Sequence, residues 1–372
     1  MSFSTFDHDC MRRALVLAEQ GLFTSDPNPR VGCVLTRDGR IVGEGAHLHA
    51  GEAHAEPRAL AVAGSAARGA TAYVTLEPCN HHGRTPPCVD ALLAAGVTRV
   101  VYALRDPNPR VDGNGGARLA AAGVATECGL LEREALALNE GFVKRMRLGR
   151  PFVRLKSAAS LDGRVALADG SSQWITGEAA RADVQSWRAR SSAVLTTAAT
   201  VIADDPRLTV RLAGATRQPL RVILDRGVRS PINARIFAAP GAVLLITAAA
   251  GERSAAAACR ALRARGVEIA VVPTAVAGTR SLDLASVLDL LGTKLVNELL
   301  IEAGGILAGA LLAQGLVDEW LLYVAPKLLG SNAQPLAVMP PLDTLADARS
   351  FEVIETASVG DDLRLRLRPR AH

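Results

Sequence analysis

Aromatic residues and long apolar runs are scarce in this 372-residue chain. Aromatic side chains make up 3% of it, with three Trp and three Tyr, which disfavours a surface that stacks nucleic-acid bases. No run of about eighteen apolar residues occurs, and the N-terminus lacks the successive basic, apolar and small-residue regions of a signal peptide. We therefore expect a soluble, cytoplasmic protein that binds neither a membrane nor nucleic acid.

Lysine is also scarce, although the formal net charge is +5. The four lysines are outnumbered by arginines spread along an Ala-rich chain, which is typical of compositional bias rather than of a nucleic-acid-binding patch. The one local basic run, KRMRLGR at 144–150, lies where we place a domain boundary. We interpret it as a solvated linker.

Cysteine is too sparse and irregularly spaced for a disulfide framework, with six in the whole chain. In a reducing compartment such residues are core thiols or metal ligands. Histidine, in contrast, is concentrated, because six of the seven lie between His8 and His82. The first quarter of the chain therefore uses imidazole in a way that the remainder does not.

The length predicts two domains, since one hydrophobic core rarely organises so many residues. In the first part, short β-rich runs alternate with helical patterns, which predicts an α/β/α sandwich that includes a hairpin about the DG turn at 38–39. A second α/β pattern starts at Phe152 and ends in a β-hairpin from about Phe351. We place the domains at residues 1–147 and 148–372.

One set of residues in the first part has the types and order of a catalytic zinc site. His54 and Glu56 open a predicted helix, Cys79 ends a strand segment, and Cys88 opens another helix. One imidazole and two thiolates suit zinc and leave a fourth position for water. Glu56 is better placed to move protons than to bind the same metal. Taken alone, each cysteine is interpreted as a buried core residue. The histidine, glutamate and two cysteines in this order along the chain are, however, typical of zinc deaminases.

The strongest local feature of the second part is LLIEAGGILAGALL, an apolar strand, a Gly-Gly turn and a helix. Glycines allow a pyrophosphate to approach the backbone, and a helix N-terminus supplies N–H groups. The turn is not GxGxxG, and glycines at such a turn also serve packing. These residues alone therefore leave cofactor binding and packing as alternatives.

Both parts resemble the bifunctional deaminase/reductase family of riboflavin biosynthesis. In the first part the resemblance lies in TSDPNPRVGCV, GEAHAEPRAL and VTLEPCNHHGRTPPC, where NHHGRTPP separates two cysteines that are only two residues apart in the usual deaminase signature. In the second part it lies in RLKSAASLDGR, SSQWIT, ATVIADDPRLTVR, IEAGGILAGALL and VAPKLLG. These motifs span Asn28 to Gly330.

The resemblance implies a cytidine-deaminase-like α/β/α sandwich followed by a dihydrofolate-reductase-like α/β domain, with one zinc ion per chain and NADPH as cofactors. It implies Glu56 as the catalytic residue and His54, Cys79 and Cys88 as the zinc ligands. The implied substrate contacts of the deaminase are Asn28, His47, His81 and Arg84.

The resemblance also assigns residues to the reductase. The implied cofactor contacts are Ala158, Trp174, Thr200, Asp204, Gly304 and Gly305. The implied substrate contacts are Ser172, Arg188, Leu208, Arg211 and Glu302. Arg188 and Arg211 suit a phosphate, because a guanidinium group binds phosphate through two parallel hydrogen bonds.

The implied reactions are consecutive. The first is hydrolytic removal of the 2-amino group of 2,5-diamino-6-(5-phosphoribosylamino)pyrimidin-4(3H)-one, and the second is NADPH-dependent reduction of 5-amino-6-(5-phosphoribosylamino)uracil to the ribityl product. The partner is thus a small-molecule substrate, and we expect a homo-oligomer, either a dimer or a tetramer. Lys156 and Asp204 are candidates for the acid of the reduction.

Two departures and two alternatives accompany this interpretation. Pro57 follows HAE, where the family commonly has an apolar residue other than proline, although the first helical turn tolerates proline. Ile306 occupies a position of the glycine turn that is often small or polar in the family. A nucleic-acid base deaminase with an accessory domain would need the stacking aromatics that the chain lacks. A non-catalytic zinc-stabilised module would not need the open coordination position that the ligand set leaves.

Overall fold

The computed structural model describes residues 3–82, 86–108, 111, 113–275 and 281–370. The chain divides into two compact units, Met1–Arg150 and Pro151–His372, which we call the N-terminal unit and the C-terminal unit. Among the described residues, no helix combines the length and the apolar content needed to cross a membrane.

The N-terminal unit alternates strands and helices. Its strands are β1 (Gly32–Arg37), β2 (Arg40–Ala46), β3 (Thr71–Val74), β4 (Arg99–Tyr102) and β5 (Ala125–Cys128). Its α-helices are α1 (Thr5–Glu19), α2 (Ala55–Ala63), α3 (Cys88–Ala95), α4 (Asn114–Ala121) and α5 (Glu132–Leu148), and a 3-10 turn covers Gly64–Ala67.

The strands of this unit form one sheet in the order β2-β1-β3-β4-β5, antiparallel up to β3 and parallel beyond it. A Cβ at Gly32 would overlap the carbonyl oxygen of Ala14 in α1, whereas a Cβ at Gly45 would overlap that of Ala55 in α2. Gly45 lies opposite Cys33, the residue after Gly32, and successive residues of a strand face opposite sides. Helices therefore cover both faces, which confirms the predicted sandwich.

Local sequence signals account for where these helices begin and end. Ser4 and Asp7 form a capping box at the start of α1, and Gly96 ends α3 in the left-handed conformation. The DG turn between β1 and β2 places Asp38 and Gly39 at positive φ, as the shortest hairpin connections require. The predicted hairpin is confirmed.

The C-terminal unit holds the remaining elements. Its strands are β6 (Phe152–Ser160), β7 (Arg164–Ala166), β8 (Ala193–Thr197), β9 (Leu220–Leu224), β10 (Val243–Thr247), β11 (Glu268–Val271), β12 (Glu298–Glu302), β13 (Glu319–Ala325), β14 (Gln334–Pro335), β15 (Phe351–Val359) and β16 (Asp362–Pro369). Its α-helices are α6 (Glu178–Arg190), α7 (Ala198–Asp204), α8 (Arg235–Ala238), α9 (Ala249–Ser254), α10 (Ala256–Ala264), α11 (Leu284–Thr293) and α12 (Gly305–Ala313), and a 3-10 turn covers Leu345–Asp347.

The large sheet of this unit has the order β11-β10-β9-β8-β12-β6-β13-β16-β15. It is parallel from β11 to β13 and ends in the antiparallel β15–β16 hairpin. Along β10, Leu244 and Ile246 join one hydrophobic cluster while Val243 and Leu245 join another, so both faces are covered. The carboxyl ends of the parallel strands lie along one edge, where ligands bind in such sheets.

The structure differs from the sequence-based expectations in three places. The basic run at 144–150 is not a linker, because residues 144–148 form the end of α5, where positive side chains favour the helix C-terminus. β5 was not predicted, since ATEC is a partly exposed edge strand without apolar alternation. The short β7 and β14 pair only with each other in the described structure and were also missed.

Candidate active sites

The first candidate site brings His54, Cys79 and Cys88 together from three elements. His54 is the N-cap residue of α2, Cys79 follows β3, and Cys88 is the first residue of α3. The Nδ1 atom of His54 lies 3.2 Å from Sγ of Cys88 and 3.6 Å from Sγ of Cys79. Among the described residues, these three form the His, Cys, Asp or Glu group whose ligand atoms all lie within 4.8 Å of one another.

These separations fit a zinc ion. A tetrahedral ion about 2.0 Å from nitrogen and about 2.3 Å from sulfur requires a nitrogen-to-sulfur separation of about 3.5 Å, close to both observed distances. The backbone N–H of Cys88 also donates to Sγ of Cys79 at 3.3 Å. The donor set therefore suits zinc in both chemistry and spacing.

The three ligand side chains are electrostatically coupled to one another. A hydrogen bond with Cys88 lowers the pKa of the Cys79 thiol, and the same contact raises the pKa of Cys88. A hydrogen bond with Cys79 raises the pKa of His54. The surroundings thus favour the thiolate at Cys79, the form in which cysteine binds metals.

Glu56 lies in the first turn of α2 beside these ligands and is buried. Burial, followed by the negative charge of Cys79, raises the pKa of Glu56 to about 7. Pro57 also lies in this first turn, where no intrahelical N–H bond is lost, as expected from the sequence. The site thus places a buried carboxyl group with a raised pKa beside the metal ligands, as suits a group that transfers protons.

Asn28 and His47 form a second layer of this site. Nδ1 of His47 lies 3.2 Å from the carbonyl oxygen of Ala53 and donates to it, so Nε2 accepts from Nδ2 of Asn28 at 3.0 Å. Burial lowers the pKa of His47, in keeping with this neutral form. The His47 and His54 rings meet edge to face, 5.2 Å between centroids. The Asn28 amide is therefore oriented by His47, whose ring contacts that of the ligand His54.

The loop between the two cysteines is only partly described. His81 is half-buried, and within the described residues its Nδ1 atom is buried without a hydrogen-bond partner. Arg84, predicted to contact substrate, lies outside the described residues. The described part of this loop therefore offers His81 as a polar group for a ligand.

The second candidate site is a cavity of about 1540 Å³ in the C-terminal unit, along the carboxyl ends of the parallel strands. The eleven residues predicted to contact cofactor or substrate there all line it. They are Ala158, Ser172, Trp174, Arg188, Thr200, Asp204, Leu208, Arg211, Glu302, Gly304 and Gly305. The structure therefore gathers into one cavity residues that lie up to 147 positions apart (158 to 305) in the sequence.

Two glycines at the start of α12 have different surroundings. Gly304 is the extended N-cap residue, and a Cβ on it would meet open space. A Cβ on Gly305 would overlap the carbonyl oxygen of Pro335. The neighbouring Ile306 is 78% exposed. Gly304 thus leaves the backbone accessible from the cavity, while Gly305 allows close packing.

Arg188 and Glu302 bind each other in the cavity wall. Nε and Nη2 of Arg188 donate to the two carboxylate oxygens of Glu302 at 2.5 and 2.9 Å, and Nη1 donates to the carbonyl oxygen of Thr209 at 3.2 Å. Although burial alone would raise it, Arg188 holds the pKa of Glu302 below its ordinary value. One edge of the Arg188 guanidinium is therefore occupied by Glu302 rather than open to a phosphate.

Lys156 lies next to Glu302, because β6 and β12 pair these two residues. Burial lowers the pKa of the Lys156 ammonium group, and its side chain lines the same cavity, as does that of Asp204. The two candidate acids thus lie along this one cavity.

Five further basic residues line the cavity and were not predicted from the sequence: Arg181, Arg207, Arg226, Arg229 and Arg235. Burial, together with the positive charges of Arg188, Arg207 and Arg235, lowers the pKa of Arg211. A cluster of guanidinium groups at one cavity is a suitable site for a phosphate. Arg207 lies inside the motif ATVIADDPRLTVR, but in an arginine-rich chain a single arginine does not indicate a binding site.

The two sites define a class of protein. A His/Cys/Cys group with a buried glutamate on an α/β/α sandwich is the equipment of a zinc-dependent deaminase. A parallel sheet with a glycine turn above a basic cavity is suited to a reductase that uses a phosphate-bearing cofactor. The chain is therefore a bifunctional enzyme.

Comparison with known proteins specifies the family. The model of the cytidine and deoxycytidylate deaminase zinc-binding region matches residues 4–104, and that of the RibD C-terminal domain matches residues 151–363. The riboflavin biosynthesis protein RibD of Escherichia coli K12 is 50% identical over 374 residues, which cover 97% of this chain and 99% of that protein. The chain belongs to the RibD family.

Solved structures agree with this assignment. Acinetobacter baumannii RibD, at 44% identity, has a TM-score of 0.90 over 98% of this chain and 99% of its own. A Thermotoga maritima diaminohydroxyphosphoribosylaminopyrimidine deaminase/5-amino-6-(5-phosphoribosylamino)uracil reductase, at 35% identity, has a TM-score of 0.86 over 98% and 99% of the two chains. The predicted family, fold class, bifunctional deaminase and reductase activity in riboflavin biosynthesis, and use of zinc and NADPH are confirmed.

Proposed function

We propose that this enzyme deaminates 2,5-diamino-6-(5-phosphoribosylamino)pyrimidin-4(3H)-one and then reduces the ribosyl group of the product, 5-amino-6-(5-phosphoribosylamino)uracil, with NADPH. The observation that carries the first step is the cluster of His54, Cys79 and Cys88 with Glu56 buried beside it. The name of the Thermotoga maritima relative supports these substrates.

In the deamination, water adds to C2 of the pyrimidine, and the amino group leaves as ammonia. Zinc, when bound, supplies Lewis-acid activation of water. Glu56 is buried and contacts the ligand cluster, so it is placed to accept a proton and to return it to a ring nitrogen and to the leaving amine. Asn28, oriented by His47, is placed to hydrogen-bond the pyrimidine edge. His81 and Arg84 are assigned to the remaining polar groups of the substrate.

In the reduction, a hydride and a proton are added at the C1′ end of the ribose. NADPH, when bound, supplies the hydride. Gly304 leaves the backbone open to the cofactor, beside Gly305, Ala158, Trp174, Thr200 and Asp204. Arg211 is assigned to the substrate phosphate, with Arg188 and Glu302 as a fixed pair beside it. Ser172 and Leu208 complete the substrate side, and Lys156 and Asp204 remain the candidate proton donors.

Deamination is assigned to residues 1–147 and reduction to residues 148–372. The division of the compact units after Arg150 supports this assignment. We also propose a cytoplasmic enzyme that binds no nucleic acid and forms a homo-oligomer, either a dimer or a tetramer. The exposed side chains of Val353 and Leu363 on the β15–β16 hairpin support self-association. Sedimentation at micromolar concentration tests the last point, and a monomer mass contradicts it.

Replacing Glu56 by Gln tests the deaminase mechanism. Because the amide cannot carry the proton, we expect E56Q to hold stoichiometric zinc and to deaminate at least about 100-fold more slowly. Reduction of supplied 5-amino-6-(5-phosphoribosylamino)uracil by NADPH should persist. The matched control is E52Q, a change at an exposed glutamate four residues earlier. Deamination by E56Q at the wild-type rate would exclude the proton-transfer role.

A further inference from the structure

A buried glutamate immediately precedes the segment that carries the zinc ligand Cys79. Glu77 follows β3, and its side chain is 3% exposed. Its Oε2 atom accepts the backbone N–H groups of Asp106 and Gly113 at 3.2 and 2.9 Å, and Oε1 accepts that of Gly116 at 3.0 Å. One side chain therefore ties two backbone positions between β4 and α4, and one in the first turn of α4, to the Cys79 segment.

The same region contacts both neighbours of Cys79 as well. A Cβ at Gly115 would overlap the carbonyl oxygen of Pro78, so the backbone of α4 lies directly against the residue before the ligand. On the other side, Oδ1 of Asn80 accepts from Nη1 of Arg118 in α4 at 2.7 Å. Residues 77, 78 and 80 are thus all held by the start of α4 or the segment leading to it.

Cys79 itself depends on this placement. Its carbonyl oxygen accepts the backbone N–H of Val89 at 3.2 Å, and its Sγ accepts that of Cys88 at 3.3 Å. A shift of the Cys79 segment would therefore move one thiolate away from His54 and disturb the start of α3, which carries the third ligand. Outer groups that orient metal ligands commonly change metal affinity by about 10–100-fold when removed.

We propose that Glu77 is a positioning residue of the zinc site, which fixes Cys79 through the backbone N–H groups of Asp106, Gly113 and Gly116. It binds neither zinc nor substrate. Two of its three N–H bonds are buried and the third is partly buried, so losing an acceptor there leaves backbone donors without a partner. The inference rests on the proposed zinc ligands His54, Cys79 and Cys88. If the wild-type protein does not hold one zinc ion per chain, that result refutes the ligand set and not the role of Glu77.

The test compares zinc retention in two full-length variants and a control. E77Q keeps the size of the side chain but turns an amide N–H₂ towards N–H donors. The control D7N alters another buried carboxylate of the same unit, which binds Arg99 and Tyr73 away from the metal site. Zinc release to a chromophoric chelator, the absorption bands of the cobalt-substituted protein and circular dichroism are measured at a temperature where all variants remain folded.

We expect E77Q to release zinc about 10–100-fold faster than wild type and to alter the thiolate-to-cobalt band, while D7N does neither. G115A, which presses on the Pro78 carbonyl directly, should act in the same direction as E77Q. Wild-type zinc release by E77Q, or equal acceleration by D7N, overturns the proposal. Failure of both E77Q and G115A to fold also overturns it, because Glu77 would then serve stability alone.

Discussion

Arg188 and Arg211 bring the same charge to one cavity but have different surroundings. The Arg188 side chain is 11% exposed and bound on one edge to Glu302, whereas Arg211 is exposed near further guanidinium groups. A buried charge that loses its partner is costly, while an exposed charge is available to a ligand. We therefore propose that Arg188 positions Glu302 and that Arg211 is the better placed of the two to bind a phosphate.

Alanine at these two arginines should separate the roles. We expect R211A to raise KM for the deaminated substrate about 10–100-fold, since it loses charge-assisted hydrogen bonds of about 1.5–3 kcal/mol, with little change in melting temperature. R188A should destabilise the C-terminal unit by about 3–5 kcal/mol, because Glu302 is left unpaired. Steady-state kinetics and thermal unfolding check this. Equal KM effects without destabilisation by R188A would contradict it.

Single residues were predictable where a motif fixes their chemistry. His54, Cys79 and Cys88 follow from ligand type and order along the chain. The pairing of Arg188 with Glu302, 114 positions apart, does not, because any arginine in such a chain has many possible partners. The contacts of Glu77 were not predictable either, because its partners are backbone N–H groups, which no side-chain pattern reveals.

The N-terminal part of helix α12 shows how one element combines packing with access to a ligand. Gly304 faces open space along the cavity, while a Cβ at Gly309 would overlap the carbonyl oxygen of Val338. The N–H of Val338 also donates to the carbonyl oxygen of Gly305 at 2.9 Å. The helix is therefore held by residues 335–338 on one side and open at its N-cap.

Alanine at these glycines should give different phenotypes. G304A needs no backbone strain, because its φ of -74° is open to any residue. We expect it to keep the wild-type melting temperature but to bind NADPH about 10-fold more weakly, since its methyl group enters the cavity. G309A should lower the melting temperature through overpacking, at about 1–3 kcal/mol. Fluorescence titration with NADPH and thermal unfolding measure both. Undiminished NADPH affinity of G304A would remove Gly304 from the cofactor site.

Buried apolar elements were predictable and short edge elements were not. The central parallel strands are only five residues long but are largely apolar, as is usual for strands buried on both faces. β5 is four residues long and partly exposed, so it carries too few apolar positions to be recognised. The basic run that ends α5 was misinterpreted because its charge pattern also fits a linker; only its packing decides between them.

At the scale of the whole molecule, some of the arginines that give the chain its positive charge lie in the interior. Arg154 and Arg221 are among the largest fully buried side chains. Arg154 binds Glu298 and Glu319, and Arg221 donates to the carbonyl oxygens of residues 236, 239 and 241. Because an ion pair adds no net charge, Arg154 and its glutamates do not account for the formal charge of +5, whereas Arg221, held by neutral carbonyl oxygens in the interior, contributes to it.

These internal ion pairs predict how the C-terminal unit responds to acid. Although burial alone would raise it, Arg154 and Arg366 lower the pKa of Glu319 from 4.5 to about 2. A carboxyl group whose pKa is lowered by folding stabilises the folded state at pH values above its pKa in the unfolded chain. This contribution is lost as the pH falls from about 4.5 to about 2. We therefore expect E319Q to be destabilised by about 3–5 kcal/mol at pH 7, with the difference from wild type shrinking below pH 4.5.

The tryptophans make this prediction measurable in one unit alone, because Trp174, Trp187 and Trp320 all lie in the C-terminal unit. Tryptophan emission during unfolding between pH 7 and pH 3 therefore reports on that unit. The control is E268Q, which breaks the exposed ion pair with Lys294 and should change stability by less than about 1 kcal/mol at any pH. A constant difference between E319Q and wild type across this range would show that Glu319 is not the titrating group.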